Sequence, residues 1–434
     1  MRRVIFPTFA LLAILLVSIL PVPVCAEPTL APKHAISPLS LKDKVTPKLL
    51  KEIEAATAQS ESRVIVLLRE QAQKGPTLQL MADLSARVTA QFKLINAVAA
   101  TLPTSKLTAV AFFDDVQMVF PDTKRQIIPP ETDMPKPSRK VTEAETMEAS
   151  LEVWYSRFPF WIGADKVWAE GLTGEGVRVG MLDTGIFYEH PDLAGVVEDY
   201  KVFTSERDVF PYDNNGHGTA TASCIAAQGI VDWDLGVPGL VFKVKGVAPG
   251  AKIIGAKIFT EGGWGWDSWI LSGLEWLVEM NVNIISYSGG GLDIPNAGLD
   301  PVALAFDKAS EMGITCFCAS GNSQGRSTVS STADASKVIS VGASTENSFP
   351  YTWLGYWPFT WDSYYADGYD NDQIIFWSSE GPTADGRVDP DVCAIGAWDM
   401  TLDTYPYYLW PQFGGTSMST PVAAGVGALV MQAY

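Results

Sequence analysis

Ser417 lies in the stretch PQFGGTSMSTPVAAGVGALV (411–430), behind Gly414 and Gly415 and at the head of an apolar run of helical texture. A serine in the first turn of a helix, where glycines let backbone and ligand approach closely, suits a nucleophile. The same pattern also describes a tight turn feeding a buried helix. A nucleophilic serine needs a base, a group that orients the base, and donors for an oxyanion. The chain holds three histidines, His34, His190 and His217. His217 sits in DNNGHGTATAS, a Gly-His-Gly turn that opens a helical segment and admits only small neighbours. That setting selects it as a general base. Asp183 closes the apolar run VGMLD with no lysine or arginine close by in sequence. It suits a carboxylate that holds a histidine tautomer, or else a plain turn or cap residue.

These side chains need a frame. From about Leu151, short β-type runs (GVRVGMLDTGI, AKIIGAKIF, VNIISYSGGG, GITCFCASGN, KVISVGAS) alternate with helical segments (TATASCIAAQ, DSWILSGLEWLVEM, DPVALAFDKASEMG). The alternation predicts an α/β fold, a largely parallel twisted sheet with helices on both faces. Sites in such sheets lie beyond the carboxyl ends of the strands, where Asp183, Ser288 and Asn322 each close an apolar run. Upstream, SRVIVLLRE reads as a strand, LQLMADLSARVTAQF as a helix, KLINAVAATL as a strand, TSKLTAVAFF as a helix and VQMVFPD as a strand. Together they predict a β-α-β-α-β unit of about 65 residues, large enough to fold alone. The proline-rich, charged stretch from TKRQIIPP onward reads as a linker.

The candidates stand in the order Asp183, His217, Ser417, the order of subtilisin and not of chymotrypsin or the α/β-hydrolases. On VGMLDTGI, NNGHGT and GGTSMSTPVAAG, three blocks in series, the chain resembles the subtilisin-like serine peptidases, the subtilases. The block ASGN resembles the one that supplies the family's oxyanion asparagine, here Asn322, and FWSSEGPTADGRVDPDV resembles the stretch preceding the serine block. The resemblance covers roughly residues 160 to 434, and residues 62 to 122 look like the family's inhibitory propeptide. It implies a self-processed zymogen that hydrolyses protein or peptide substrates, with its own propeptide as intramolecular inhibitor. Ser417 would be the nucleophile, His217 the base, Asp183 its orienter, and Asn322 with the Ser417 N–H the oxyanion donors. Ser288, Gly289 and Gly290 in SYSGGG would line the substrate strand; Gly289 stands where leucine is common, which predicts a roomy, apolar-tolerant pocket. A sedolisin-type acid peptidase shares the Gly-Thr-Ser block but uses a glutamate base, against which His217 and Asn322 argue. A catalytically silent module on the same fold would be expected to lack members of the triad, all present here.

The expected organisation is a signal peptide over 1–26, a polar extension over 27–61, an inhibitor-type propeptide domain over 62–124, a processing linker over 125–155 and a catalytic domain over 156–434. A basic start, an apolar run and small residues ending at Ala26 predict secretion, with no stable membrane span once the signal is removed. Lys plus Arg number 31 against 49 Asp plus Glu, a net charge of −18, and no basic cluster interrupts it, so a nucleic-acid partner is excluded. Cys224, Cys316, Cys318 and Cys393 lie in apolar stretches without zinc spacing and read as small buried hydrophobes. No cofactor is required for the predicted chemistry. The insert 349–373 is dense in aromatics and reads either as a packed flap or, through Asp367, Asp370 and Asp372, as a structural Ca²⁺ site.

Overall fold

The computed structural model describes residues 40–57, 59–127, 152–207, 209–233, 240–291, 299–345, 373–396, 399–404 and 409–434. The signal segment, residues 128–151 of the linker and the Asp367, Asp370 and Asp372 cluster lie outside the described residues.

The part from 156 onward, expected to be catalytic, is built on seven parallel strands. In spatial order they are Val392–Ile395, Ile339–Ser344, Thr315–Ala319, Ile284–Tyr287, Arg178–Asp183, Lys252–Lys257 and Val197–Val202. The strand that comes first in sequence, Arg178–Asp183, sits inside the sheet; Val197–Val202 takes one edge, Lys252–Lys257 fills the place between them, and the later strands add in order on the other side. Alternation along each strand separates two cores. Leu182, Ala256, Tyr287, Cys316 and Cys318 face the helices Asp267–Glu279 and Pro301–Glu311. Met181, Ile253, Ile284 and Phe317 face the helices His217–Ala226 and Thr416–Ala433. The strands are buried on both faces, which is why they read as continuous apolar runs. Cys316 and Cys318 share a face, as their spacing predicted, and burial pushes the Cys316 thiol up to about 12. Cys224 is buried as well, whereas Cys393 is exposed, and all four are free thiols.

The N-terminal unit is a four-stranded antiparallel sheet in the order Arg87–Phe92, Ala97–Pro103, Glu61–Leu68, Val116–Pro121. Two sequence expectations change here. LQLMADLSARVTAQF is not one helix: the helix Lys74–Asp83 stops before Ser85, at φ 59°, and a strand begins at Arg87. Leu84, Val88 and Phe92 recur every four residues and mimic a helical stripe, but a register shift between Val88 and Ala90 sends Val88 to the core on one face of the sheet and Ala90 and Phe92 to the core on the other. The unit is therefore β-α-β-β-α-β. Nor is the segment before 62 merely a polar extension. The helix Pro47–Glu54, capped by Thr46 with proline in its first turn, buries Leu49 in the same core as Val64, Val66 and Val98.

The sheet of this unit packs its other face on the catalytic part. Ile65, Leu67, Ala97 and Phe120 join one core with Leu271 and Leu274. Glu275 accepts the Leu94 N–H at 2.8 Å. Asp122 accepts the Ser268 N–H and hydroxyl, both at 2.9 Å, which places a carboxylate on the first turn of the helix Asp267–Glu279.

Leu49→Ala should destabilise the N-terminal unit by about 2–5 kcal/mol, the usual cost of emptying a fully buried leucine site. Denaturant unfolding of Ser417→Ala chains with and without Leu49 would show it as a lower midpoint.

Candidate active site

Asp183 is the last residue of its strand, and three donors converge on its buried carboxylate. Oδ1 lies 2.7 Å from His217 Nδ1 and accepts the Thr184 N–H at 2.7 Å; Oδ2 accepts the Thr221 hydroxyl at 3.1 Å. The carboxylate can only accept, so Nδ1 carries the proton and Nε2 is left with its lone pair. Nε2 is buried and has no hydrogen-bond partner among the described residues. The parallel register also puts Lys257 beside Asp183, where its ammonium donates to the Thr184 carbonyl. Distance in sequence hid that cation.

His217 opens its helix, and the residue that seats it is Asp213. One oxygen of Asp213 accepts the Gly216 N–H at 3.0 Å and the Thr184 hydroxyl at 2.8 Å; the other accepts the Thr219 N–H at 2.8 Å and its hydroxyl at 2.6 Å. The Thr184 hydroxyl in turn accepts the Gly218 N–H at 2.9 Å. This relay clamps the end of the Asp183 strand to the start of the histidine helix. Gly218 is required because a Cβ there would collide with the Gly185 carbonyl. Sequence reading passed over Asp213; its signal was an aspartate placed to cap the first turn of DNNGHGT.

Ser417 is the second residue of the helix Thr416–Ala433 and is fully buried. Asn322, just past the strand Thr315–Ala319, accepts the Thr416 N–H and hydroxyl through Oδ1, each at 2.9 Å. That fixes the orientation of its amide. Nδ2 is the donor end, and a Cβ on Gly415 would stand 2.7 Å from it. Gly415, at φ 95°, thus admits the amide next to the helix start. The serine and histidine helices pack on each other, and the His217 ring meets Phe413 edge-on at 5.4 Å.

Pro421 sits inside the serine helix. It has no N–H, so the carbonyl four residues earlier, that of Ser417, loses its helical donor. The Ser288 hydroxyl replaces it, donating to the Ser417 carbonyl at 3.1 Å. Ser288 therefore turns its side chain into the helix, not into a substrate groove. Gly289 and Gly290 form a short strand that does border a groove, but the space over Gly289 is filled: a Cβ there would lie 2.6 Å from the Phe259 ring. The expected roomy pocket at Gly289 is absent for that reason.

The groove is occupied. Lys124–Ile127, expected to be linker, forms the middle strand of a three-stranded antiparallel sheet between Trp264–Trp266 and Gly289–Gly290. Ile127 pairs with Gly289, one residue from Ser288, so the strand runs toward the serine helix. His190 is structural: buried, it accepts the Asp192 N–H at Nδ1 at 3.1 Å. His34 lies outside the described residues. Among the described residues no cluster of three or more His, Cys, Asp or Glu is arranged to hold a metal.

A model of the subtilase family, the S8 peptidases, matches residues 174–434. The serine protease AprX of Bacillus subtilis is 32% identical over 60% of this chain, which spans 58% of that relative's length. Subtilisin DY of Bacillus licheniformis is 32% identical over 63% of the chain and is itself covered to 83%. In fold, the chain is similar to fervidolysin from Fervidobacterium pennivorans, described as a keratinolytic enzyme related to subtilisin. The TM-score is 0.61 at 21% identity, over 86% of this chain and 55% of that one.

Ser288→Ala should leave the Ser417 carbonyl buried without a donor and cost about 1–3 kcal/mol of stability. Pro421→Ala returns an N–H to that carbonyl. A double-mutant cycle read by thermal unfolding should therefore show the second change recovering part of the first; strict additivity would mean that the two residues do not share the carbonyl.

Proposed function

The chain belongs to the subtilase family, and from that premise we propose that it is a secreted serine endopeptidase made as a self-processed zymogen. The observation that carries this reading is the Asp183–His217 pair, with Nε2 left as an acceptor, on a frame that ties Asn322 and Ser288 to the first turn holding Ser417. Ser417 attacks the scissile carbonyl. His217 takes the serine proton through Nε2 and returns it to the leaving amine. Asp183 holds the tautomer and stabilises the imidazolium that forms. The Asn322 amide, with the Ser417 N–H at the positive end of the helix, receives the oxyanion. These steps ask for no cofactor. Structural Ca²⁺ through Asp367, Asp370 and Asp372 stays a proposal, tested by whether chelator lowers the melting temperature of the wild type but not of an Asp370→Ala, Asp372→Ala variant.

The N-terminal unit acts as the inhibitor. Its strand Lys124–Ile127 takes the place and direction of a substrate between two strand edges of the catalytic part. In a peptide strand paired as Lys124–Ile127 is, the residue after the partner of Gly289 would stand opposite Ser288, and the bond facing Ser417 would follow it. Processing is accordingly expected there or further along, and not before residue 125.

A fluorophosphonate should label the processed wild type at Ser417, and Ser417→Ala should abolish labelling and turnover while the chain accumulates at full length. Normal maturation of Ser417→Ala in a protease-free host would assign the cut to another enzyme. Asn322→Ala should lower turnover by about 10²–10³-fold, the loss seen when the same kind of donor is removed from subtilisin.

A further inference from the structure

Arg125 belongs to the strand that fills the groove, yet it is among the most buried charged residues in the molecule. Its side chain is 7% exposed. It leaves the strand for a pocket made wholly by the catalytic part. Its Nε donates to Asp267, one Nη donates to the Ser331 hydroxyl, and the other lies 2.9 Å from Asp300 Oδ1. The pocket does not depend on the arginine for its shape. Asp267 is the first residue of the helix Asp267–Glu279, and its side chain is 4% exposed. Asp300 caps the helix Pro301–Glu311, accepting the Val302 and Ala303 N–H groups at 2.9 and 3.0 Å. The two helices pack side by side, so the fold sets the backbones that carry both carboxylates; the Asp267 carboxylate also accepts the Thr123 N–H of the N-terminal unit at 3.4 Å.

We propose that this pocket is a specificity site for arginine, reading the side chain four residues upstream of the bond that is cut. The proposal rests on the proposed peptidase function and on the register argued there, in which Ile127, Gln126 and Arg125 hold the second, third and fourth places back from that bond. A substrate strand between Gly289–Gly290 and Trp264–Trp266 would repeat the pairing of Gly265 with Arg125 and aim its side chain at the same carboxylates. Once the N-terminal unit leaves, Asp267 and Asp300 stand near each other with no cation between them. Burial already pushes the Asp267 carboxyl up to about 6, with Asp300 and Asp122 adding to it and Arg125 opposing them. Two like charges so placed favour whatever brings a cation to them. A planar guanidinium can engage Asp267, Asp300 and Ser331 at once, whereas a lysine ammonium presents one point charge. The residue before it is read as well: the Lys124 ammonium lies 3.8 Å over the Trp264 ring.

The test uses processed enzyme and tetrapeptide coumarylamides whose three residues nearest the cut are randomised, with the fourth fixed as Arg, citrulline, Lys or norleucine. Citrulline keeps the shape of arginine without its charge. Arg is expected to exceed citrulline in kcat/KM by about tenfold or more, since it alone pairs the buried carboxylates. In Asp267→Asn and Asp300→Asn enzymes the Arg-to-citrulline ratio should fall toward one. Reading it as a ratio within each enzyme sets aside any general loss of rate, and asparagine preserves the cap at 300. Equal cleavage of Arg and citrulline by enzyme that labels at Ser417 overturns the pocket and leaves the peptidase reading intact. So does an Arg preference that survives both substitutions. Failure to label Ser417 at all overturns the peptidase reading and the subsite with it.

Discussion

A single carbonyl, that of Ser417, organises the reactive end of the molecule. Pro421 removes the N–H that would have satisfied it, and a buried carbonyl without a donor is costly, so a hydroxyl must come from outside the helix. Ser288 supplies it from the end of a central strand. The serine helix is thereby fixed to the sheet at its first turn, where the strand continues into Gly289 and Gly290. Asn322 makes a second tie one residue away, through Thr416. The turn that holds Ser417 is fixed between two strand ends, and the edge that borders the groove is held with it.

The same carboxyl edge of the sheet carries the Asp183–His217 pair. Asp183 cannot move without its strand, and His217 cannot move without the Asp213 clamp joining its helix to Thr184. Glycine is used where backbones must touch: Gly218 against Gly185, and Gly415 against the Asn322 amide. Precision here comes from rigid elements meeting at their ends, which suits a site whose work is to hold preorganised dipoles.

Much of this was legible in the sequence. The central strands are buried on both faces and so appear as unbroken apolar runs, and the glycines around His217 and Ser417 announce close approach before any contact is known. What stayed hidden depends on through-space pairing. Nothing in TKRQI distinguishes a linker from a strand, because its partners lie more than a hundred residues away, in WGW and GG. Lys257 became Asp183's neighbour only through parallel register. The helix read over 78–92 failed because Leu84, Val88 and Phe92 have helical spacing, while a register shift in the strand puts Val88 and Phe92 on opposite faces of the sheet. Gly289 read as open space because a missing side chain says nothing about the ring of Phe259 that has moved in.

The groove strand is bordered on both sides by the catalytic part and on neither by its own unit. It cannot be peeled away one hydrogen bond at a time from a free edge, as a terminal strand of a sheet can. Both rows must let go together, with Arg125 drawn out of a buried pocket in the same event. Such a geometry loads the barrier to departure more than the depth of the bound state. Latency would then be a matter of residence time: the interval before the enzyme becomes free is set by an escape rate, and a single nick in the chain beyond Ile127 need not shorten it.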